Sequence, residues 1–320
     1  MLEKYTFTNL LKAVDNPTLF LREIGGPLDR ALRPVASSVF EHRHGSGIDM
    51  MSYDWDTLIL LDACRYDVFA SEIDPPGEVK PVISPGAHSW EFMKNTFVGR
   101  TFHDTIYVTA NPHAVKLTDD IFFKLEILVD HWDEDLGTVH PQTVFDRAKC
   151  AHEAYPDKRL VVHFMQPHRP YLGKTADCVR SEYDLRGFNH RITDDRDSRT
   201  GSTWWTLVKT GDVSLELTKE AYTETLEIAF EYVEALLAEV DGKTVISSDH
   251  GEMLGERGVL LRRFGHPHDV YTSEGRVVPW CVMSNGQRRE VMAETPIEAE
   301  RPDGAIVDER LQALGYKPRE

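Results

Sequence analysis

The apolar run Val245-Ile246 leads through Ser247-Ser248 straight into Asp249 and His250, and a second run, Thr57–Leu61 (T-L-I-L-L), ends on Asp62. An ionised carboxylate at the end of a buried strand is costly unless something compensates it, and a divalent cation is the strongest compensation available. His250 adds a nitrogen donor, and His168, His266 and His268 lie in loops expected to open at the same edge. Asn111 follows the run T-I-Y-V-T-A, and Gln166 precedes His168 after L-V-V-H-F-M. Taken singly, each of these residues could cap a helix, decorate a surface or sit as a hydrogen-bonded structural histidine. Together they point to a metal site.

The elements that must carry them are continuous apolar runs rather than alternating ones, the pattern of strands buried on both faces. Besides Thr57–Leu61 they are Thr105–Thr109, Leu160–Phe164, Thr244–Ser247 and Val277–Met283, and we read all five as parallel. Over 219–240, Tyr222, Leu226, Ala229, Phe230, Val233, Leu236, Leu237 and Val240 recur at helical spacing before Asp241-Gly242 ends the helix. Helices alternating with strands predict an α/β fold, a mostly parallel central sheet with helices on both faces, and a site beyond the carboxyl ends of the strands. Residues 172–217 are more polar than the rest, contain R-I-T-D-D-R-D-S-R-T-G-S, close with Trp204-Trp205, and read as an insertion, a lid or a surface excursion. Residues 1–50 carry apolar positions at helical spacing (Phe7, Leu10, Leu11, Val14, Leu19, Phe20, Leu21, Ile24), broken at Asn16-Pro17 and Gly25-Gly26-Pro27. We expect a pair of helices packed on a catalytic unit spanning 51–320, with weak membrane-surface contact as the alternative.

The chain has 320 residues, 41% hydrophobic and 10% aromatic, enough for a real core. A formal charge of −17 with no basic cluster argues against nucleic acid as a partner. Such an acid excess would suit a halophilic cytoplasm, where it keeps the fold soluble. Cys64, Cys150, Cys178 and Cys281 lie far apart, so neither a zinc knuckle nor a disulfide framework is expected. The first residues lack the pattern of a secretion signal, and the expectation is a cytoplasmic protein, with a place peripheral to the inner membrane face as the alternative.

Several segments carry a family resemblance. Asp62-Ala63-Cys64-Arg65-Tyr66-Asp67 resembles the D-x-x-R-x-D opening of the alkaline phosphatase/sulfatase superfamily, and Gln166-Pro167-His168-Arg169-Pro170-Tyr171 resembles its D-P-H-x-P-Y segment. S-D-H-G-E-M-L-G-E-R-G at 248–258 is similar to its D-H-G-E motif, Gly265-His266 with Val278-Pro279 to its G-H and V-P pair, and L-Q-A-L-G-Y at 311–316 to a common ending. The order of these matches is the family's own. The resemblance implies an alkaline phosphatase-like three-layer sandwich and a cation held by Asp62, Asp249 and His250, with a nucleophile completing the shell. The stretch Ile83-Ser84-Pro85-Gly86-Ala87-His88-Ser89-Trp90-Glu91 resembles the S-P-G-x-x-T/S segment of archaeal sulfatase-like proteins, which makes Ser89 the nucleophile candidate and Ser84 its rival. A helix N-terminus would help such a hydroxyl hold an anionic ester, although a plain N-cap is the alternative for Ser89.

By the same resemblance His168 and His266 contact the transferring anion or protonate the leaving oxygen, with His268 able to stand in for His266. Arg65 either clamps an anion or pairs with a nearby acid, and Glu252 and Glu256 either orient His250 or are solvated. Gln166 stands where the family has Asp, Ala63 where many members have a second acid, and the D-x-x-x-H spacing of two-zinc members is missing. One ion is therefore expected, with manganese, magnesium, calcium and zinc all compatible. Ser89 is followed by W-E-F-M, not by the context of formylglycine formation. An unmodified serine favours phosphoester hydrolysis or phosphotransfer through a phosphoserine. A sulfuric ester hydrolase and a non-catalytic, metal- or anion-binding member are the alternatives. The expected substrate is a small anionic ester, a sugar-phosphate, a glycan or a lipid head group.

Overall fold

The structure, a computed structural model, describes residues 17–183, 185, 203–268, 271–299 and 301–314. Its centre is a seven-stranded sheet of β1 (Thr57–Asp62), β2 (Glu78–Ile83), β3 (Phe102–Thr109), β4 (Phe122–Ile127), β5 (Arg159–Pro167), β6 (Gly242–Ser248) and β7 (Val277–Asn285), in the order β2-β7-β6-β1-β5-β3-β4. From β6 to β4 all neighbours run parallel, with Leu60 in register with Ser247 on one side and His163 on the other. β7 is the exception to the reading above: it runs antiparallel to both β6 and β2. The chain between β6 and β7 forms a small hairpin and a short helix instead of a crossover helix, so it returns on the edge it left, which only an antiparallel neighbour allows.

Two strands escaped the periodicity reading. β2 (E-V-K-P-V-I) is half exposed and holds Pro81, a residue confined to edge strands, while β4 (F-F-K-L-E-I) carries its charges in partly covered positions.

Residues alternate between two cores. Ile59, Leu61, Val108, Val162 and Ile246 face α4 (Pro141–Ala154) and α5 (Leu215–Glu239), whereas Leu58, Leu60, Tyr107, Val161 and Val245 face α3 (Ser89–Thr96) and α6 (Gly304–Ala313). Burying each such side chain contributes about 1.5–3 kcal/mol. α5 starts where Ser214 Oγ accepts from the N–H of Leu217 (3.0 Å) and ends before Gly242, whose φ of 94° is cheap only for glycine.

At the other end of the chain, α1 (Pro17–His44) is one helix of 28 residues that runs through Gly25-Gly26-Pro27, where a break was expected. Docking offsets the lost backbone bonds. Buried Asp29 accepts from the N–H groups of Leu260 (2.9 Å) and Leu261 (3.0 Å) and pairs with Arg33 and Arg263. Positions 1–16, including Phe7, Leu10, Leu11 and Val14, lie outside the described residues, as do 186–202 of the proposed insertion and Gly315-Tyr316 of the ending motif. The described flanks of that insertion, helices Lys174–Tyr183 and Trp204–Thr210, pack with Tyr171, Tyr222 and Leu254 into a third apolar cluster.

Candidate active site

β1, β6 and α3 converge on one point. Asp62 is the last residue of β1, Asp249 and His250 directly follow β6, and Ser89 opens α3; all four are fully buried. The oxygens of Asp62 and Asp249 and a ring nitrogen of His250 come within 4.8 Å of one another. His250 Nε2 is 3.5 Å from Asp62 Oδ1, 3.4 Å from Asp249 Oδ2 and 3.2 Å from Ser89 Oγ, and Ser89 Oγ is 3.3 Å from Asp62 Oδ2. His250 donates Nδ1–H to the carbonyl of Gly251 (2.8 Å), which leaves the Nε2 lone pair facing the carboxylates.

The carboxylates are held from outside. Asp249 Oδ1 accepts from the N–H groups of Ala63 (3.1 Å) and His250 (2.8 Å), and Asp62 Oδ2 accepts from Asn111 Nδ2 (2.6 Å). The inward oxygens, Asp62 Oδ1 and Asp249 Oδ2, accept no hydrogen bond. Two buried carboxylate oxygens without donors beside an imidazole lone pair fit a divalent cation.

Burial, the Asp249 charge and Glu252 push the Asp62 carboxyl well up, despite the hydrogen bond from Asn111. Burial also acts on Asp249, but His250 and His163 beside it hold that carboxyl low. Burial lowers His250, the Asp249 charge opposes this, and His266 adds to the lowering. A group with a raised folded value binds a proton that the unfolded chain releases, so the metal-free protein gains stability as pH falls and loses it as pH rises through the Asp62 titration. A cation replaces that proton. The rise in melting temperature on adding Mn²⁺ is therefore expected to be larger at pH 8 than at pH 5, about 5 °C or more at saturating cation. Thermal scans with Mn²⁺ and with chelator check this; equal increments at both pH values would contradict it.

A second group lies alongside. His168, Glu252 and His266 also bring ligand atoms within 4.8 Å, with His266 Nδ1 at 3.2 Å from Glu252 Oε2. The His266 ring centroid is 5.0 Å from that of His168 and 4.9 Å from that of His250, so the groups share a wall. Burial and the charges of His266 and Arg169 lower His168, which is fully covered. The expectation of one ion rested on Gln166 and Ala63 standing where the family has acids, and on a missing sequence spacing. The structure assembles this second set from a strand end, the turn after His250 and a hairpin end, which no linear spacing records.

The remaining candidates divide by contact. Asn111 touches the site through Asp62. Ser84 Oγ donates to the backbone carbonyl of Asp249 and accepts from the N–H of Gly86, a supporting role behind the site. Gln166 donates to the carbonyl of Val139 (3.1 Å). His268 meets His88 at a tilt of 49° with ring centroids 3.9 Å apart, and its ring lies 6.4 Å from that of His266. Arg65 commits its fork to Asp67 (2.9 and 2.6 Å) and Glu256 (2.6 Å), the ion-pair arrangement rather than an anion clamp. The cap of α3 is His88, whose Nδ1 accepts from the N–H of Glu91, so Ser89 is the first helical residue and is not the cap. Gly86 makes this possible, because a Cβ there would run into the backbone of Phe92.

No family model and no curated protein matches the chain. Its described architecture is a mixed α/β fold with a mostly parallel sheet between helices. Solved structures of similar fold include the C-terminal periplasmic domain of EcEptC from Escherichia coli in complex with Zn, 12% identical over 75% of each chain with a TM-score of 0.46. A second is a protein in the alkaline phosphatase superfamily from Vibrio parahaemolyticus, 11% identical over 81% of this chain and 65% of that one, TM-score 0.42. BT4656 in complex with its substrate D-glucosamine-2-N,6-O-disulfate is 13% identical over 83% of this chain and 77% of that one, TM-score 0.46. These are similarities of fold at 11–13% identity, with TM-scores below 0.5.

The cytoplasmic expectation is corrected by these comparisons, since similar structures from Escherichia coli and Campylobacter jejuni are periplasmic domains. An acidic, cysteine-poor surface suits either side of a membrane. No helix among the described residues is long and apolar enough to cross one.

Proposed function

We propose that the chain is a metal-dependent phosphoester hydrolase or phosphotransferase with Ser89 as its nucleophile. The observation that carries this is the Ser89 hydroxyl within 3.3 Å of both Asp62 Oδ2 and His250 Nε2, at the start of a helix and beside two carboxylate oxygens that lack donors. Asp62, Asp249, His250 and Ser89 would hold the cation, which when bound lowers the pKa of the hydroxyl and neutralises charge on the ester. Ser89 Oγ gives its proton to His168 or His266, on the wall beside His250, and forms a bond to phosphorus as the bond to the leaving oxygen breaks; the same imidazole passes that proton to the leaving oxygen. Water or an acceptor hydroxyl attacks the phosphoserine and regenerates Ser89.

An exposed rim next to the nucleophile suits an anionic head group or sugar-phosphate. Lys116 Nζ lies 4.8 Å above the Trp90 ring and donates to His113 Nδ1 (2.9 Å). Residues 1–50 would then be a helical segment docked on the catalytic unit 51–320, and 172–217 an insertion that shapes the pocket.

Purified full-length protein, loaded in turn with Mn²⁺, Mg²⁺, Ca²⁺ and Zn²⁺, is expected to turn over aryl phosphate mono- or diesters with at least one metal and to stop on chelation. Faster turnover of aryl sulfates would transfer the reading to sulfuric esters. No turnover of either ester, with cation binding intact, would leave a binding protein.

A further inference from the structure

The chain leaves β1 through Ala63, whose φ of 60° is the only left-handed backbone conformation of a non-glycine residue among the described residues. An L side chain is disfavoured there, so the turn persists only if its surroundings hold it. Three groups do. The N–H of Ala63 donates to Asp249 Oδ1 (3.1 Å), and the N–H of Cys64 donates to Ser248 Oγ (2.9 Å). The N–H of Arg65 donates to the phenol oxygen of Tyr222 (3.0 Å), and the phenol O–H donates to the carbonyl of Ala63 (2.7 Å). One hydroxyl therefore spans the turn from its first residue to its third.

Tyr222 sits on α5, outside the proposed reaction, and sequence periodicity marks it only as a core position. Its side chain is fully buried and meets Tyr171 edge to face, with ring centroids 6.2 Å apart. A phenylalanine would fill the same space.

We infer that Tyr222 is a positioning residue for the cation site, acting through the Ala63 turn. By fixing that turn it keeps the Ala63 N–H on Asp249 Oδ1, so that Oδ2 faces His250 and Asp62, and it anchors the strand end that carries Asp62. The inference rests on the cation reading above.

The test compares Tyr222→Phe with Tyr171→Phe, whose hydroxyl makes no hydrogen bond in the structure. Titration calorimetry of full-length protein with Mn²⁺ is expected to show binding about 10- to 100-fold weaker for Tyr222→Phe and unchanged for Tyr171→Phe. A purely packing role would lower the melting temperature of metal-free Tyr222→Phe but leave the Kd of its folded form at the wild-type value, and that result would overturn the inference. In Tyr222→Phe, the second substitution Ala63→Gly, which removes the penalty on a left-handed turn, is expected to recover part of the affinity; failure to recover any counts against the turn as the intermediary. Should wild-type protein bind no cation, the functional reading falls, and amide exchange of metal-free protein decides the latch. Faster exchange at Ala63, Cys64 and Arg65 in Tyr222→Phe, but not in Tyr171→Phe, supports it, and unchanged exchange overturns it. If Tyr222→Phe does not fold, Ser248→Ala, which releases the Cys64 N–H of the same turn, is expected to give the same loss of affinity, and wild-type affinity there would overturn the inference.

Discussion

Ser89→Ala is expected to lower kcat for aryl phosphates by at least about 10³-fold while leaving the fold intact, because loss of a nucleophile removes the covalent route and not the surrounding binding groups. The geometry separates this effect from a structural one. α3 is capped by His88, so alanine at the next position loses no cap, and alanine is the best helix former. Removing the hydroxyl leaves Asp62 Oδ2 with its donor Asn111 and His250 with its Nδ1–H bond to Gly251. Stability should change by less than about 1 kcal/mol. Intact-mass spectrometry of acid-quenched protein should show one added phosphoryl group on wild type and none on Ser89→Ala. Ser84→Ala behaves in the opposite sense: it removes the donor to the Asp249 carbonyl and the acceptor of the Gly86 N–H, so it should destabilise the protein and still form the phosphoserine. Wild-type kcat in Ser89→Ala would end the case for a serine nucleophile.

What could be read from the sequence follows from where the information sits. Five runs gave five strands of the sheet because a strand buried on both faces must be apolar throughout, as Leu58–Leu61 are. β2 and β4 escaped because charged residues, Glu78 and Lys80 in one and Lys124 and Glu126 in the other, interrupt their apolar positions at the edges of the sheet, so neither is a continuous apolar run. The antiparallel course of β7 escaped because direction is set by how the chain travels between strands, not by the residues within one.

The site behaves likewise. Asp62, Asp249 and His250 were legible as polar residues that end buried strands. Pairing of Arg65 with Asp67, two residues on, was one of its two readings, whereas the pairing of Glu252 with His266 across a hairpin, the bond of Arg65 to Glu256 and the reach of Tyr222 to Ala63 join positions too far apart to leave a periodic signature. The uninterrupted α1 shows tertiary docking of Asp29 outweighing a Gly-Gly-Pro signal in the sequence.

Asp249→Asn should change the protein in two opposed ways. Asparagine can keep the oxygen that accepts from the Ala63 and His250 N–H groups, and its amide can donate where Oδ2 now stands 3.4 Å from His250 Nε2. What disappears is a negative charge, which together with burial forces the Asp62 carboxyl upward. Ionised Asp249 is itself supported by His250 and His163, and Asp249→Asn loses that support. The Asp62 shift fixes the pH trend: relative to metal-free wild type, the melting temperature of metal-free Asp249→Asn is expected to rise from pH 5 to pH 8, by roughly 2–4 °C for each kcal/mol relieved. Cation binding moves the other way. Substituting groups that merely orient a ligand weakens binding about 10- to 100-fold, so neutralising a ligand itself should cost more than about 100-fold, and turnover should fall with it. Thermal scans of both proteins across pH, with chelator and with Mn²⁺, read both effects: without cation the variant gains on wild type as pH rises, and Mn²⁺ raises the melting temperature of wild type more than that of the variant. If cation stabilises Asp249→Asn as much as wild type, Asp249 is not a ligand, and the paired carboxylates at the ends of β1 and β6 would need another explanation.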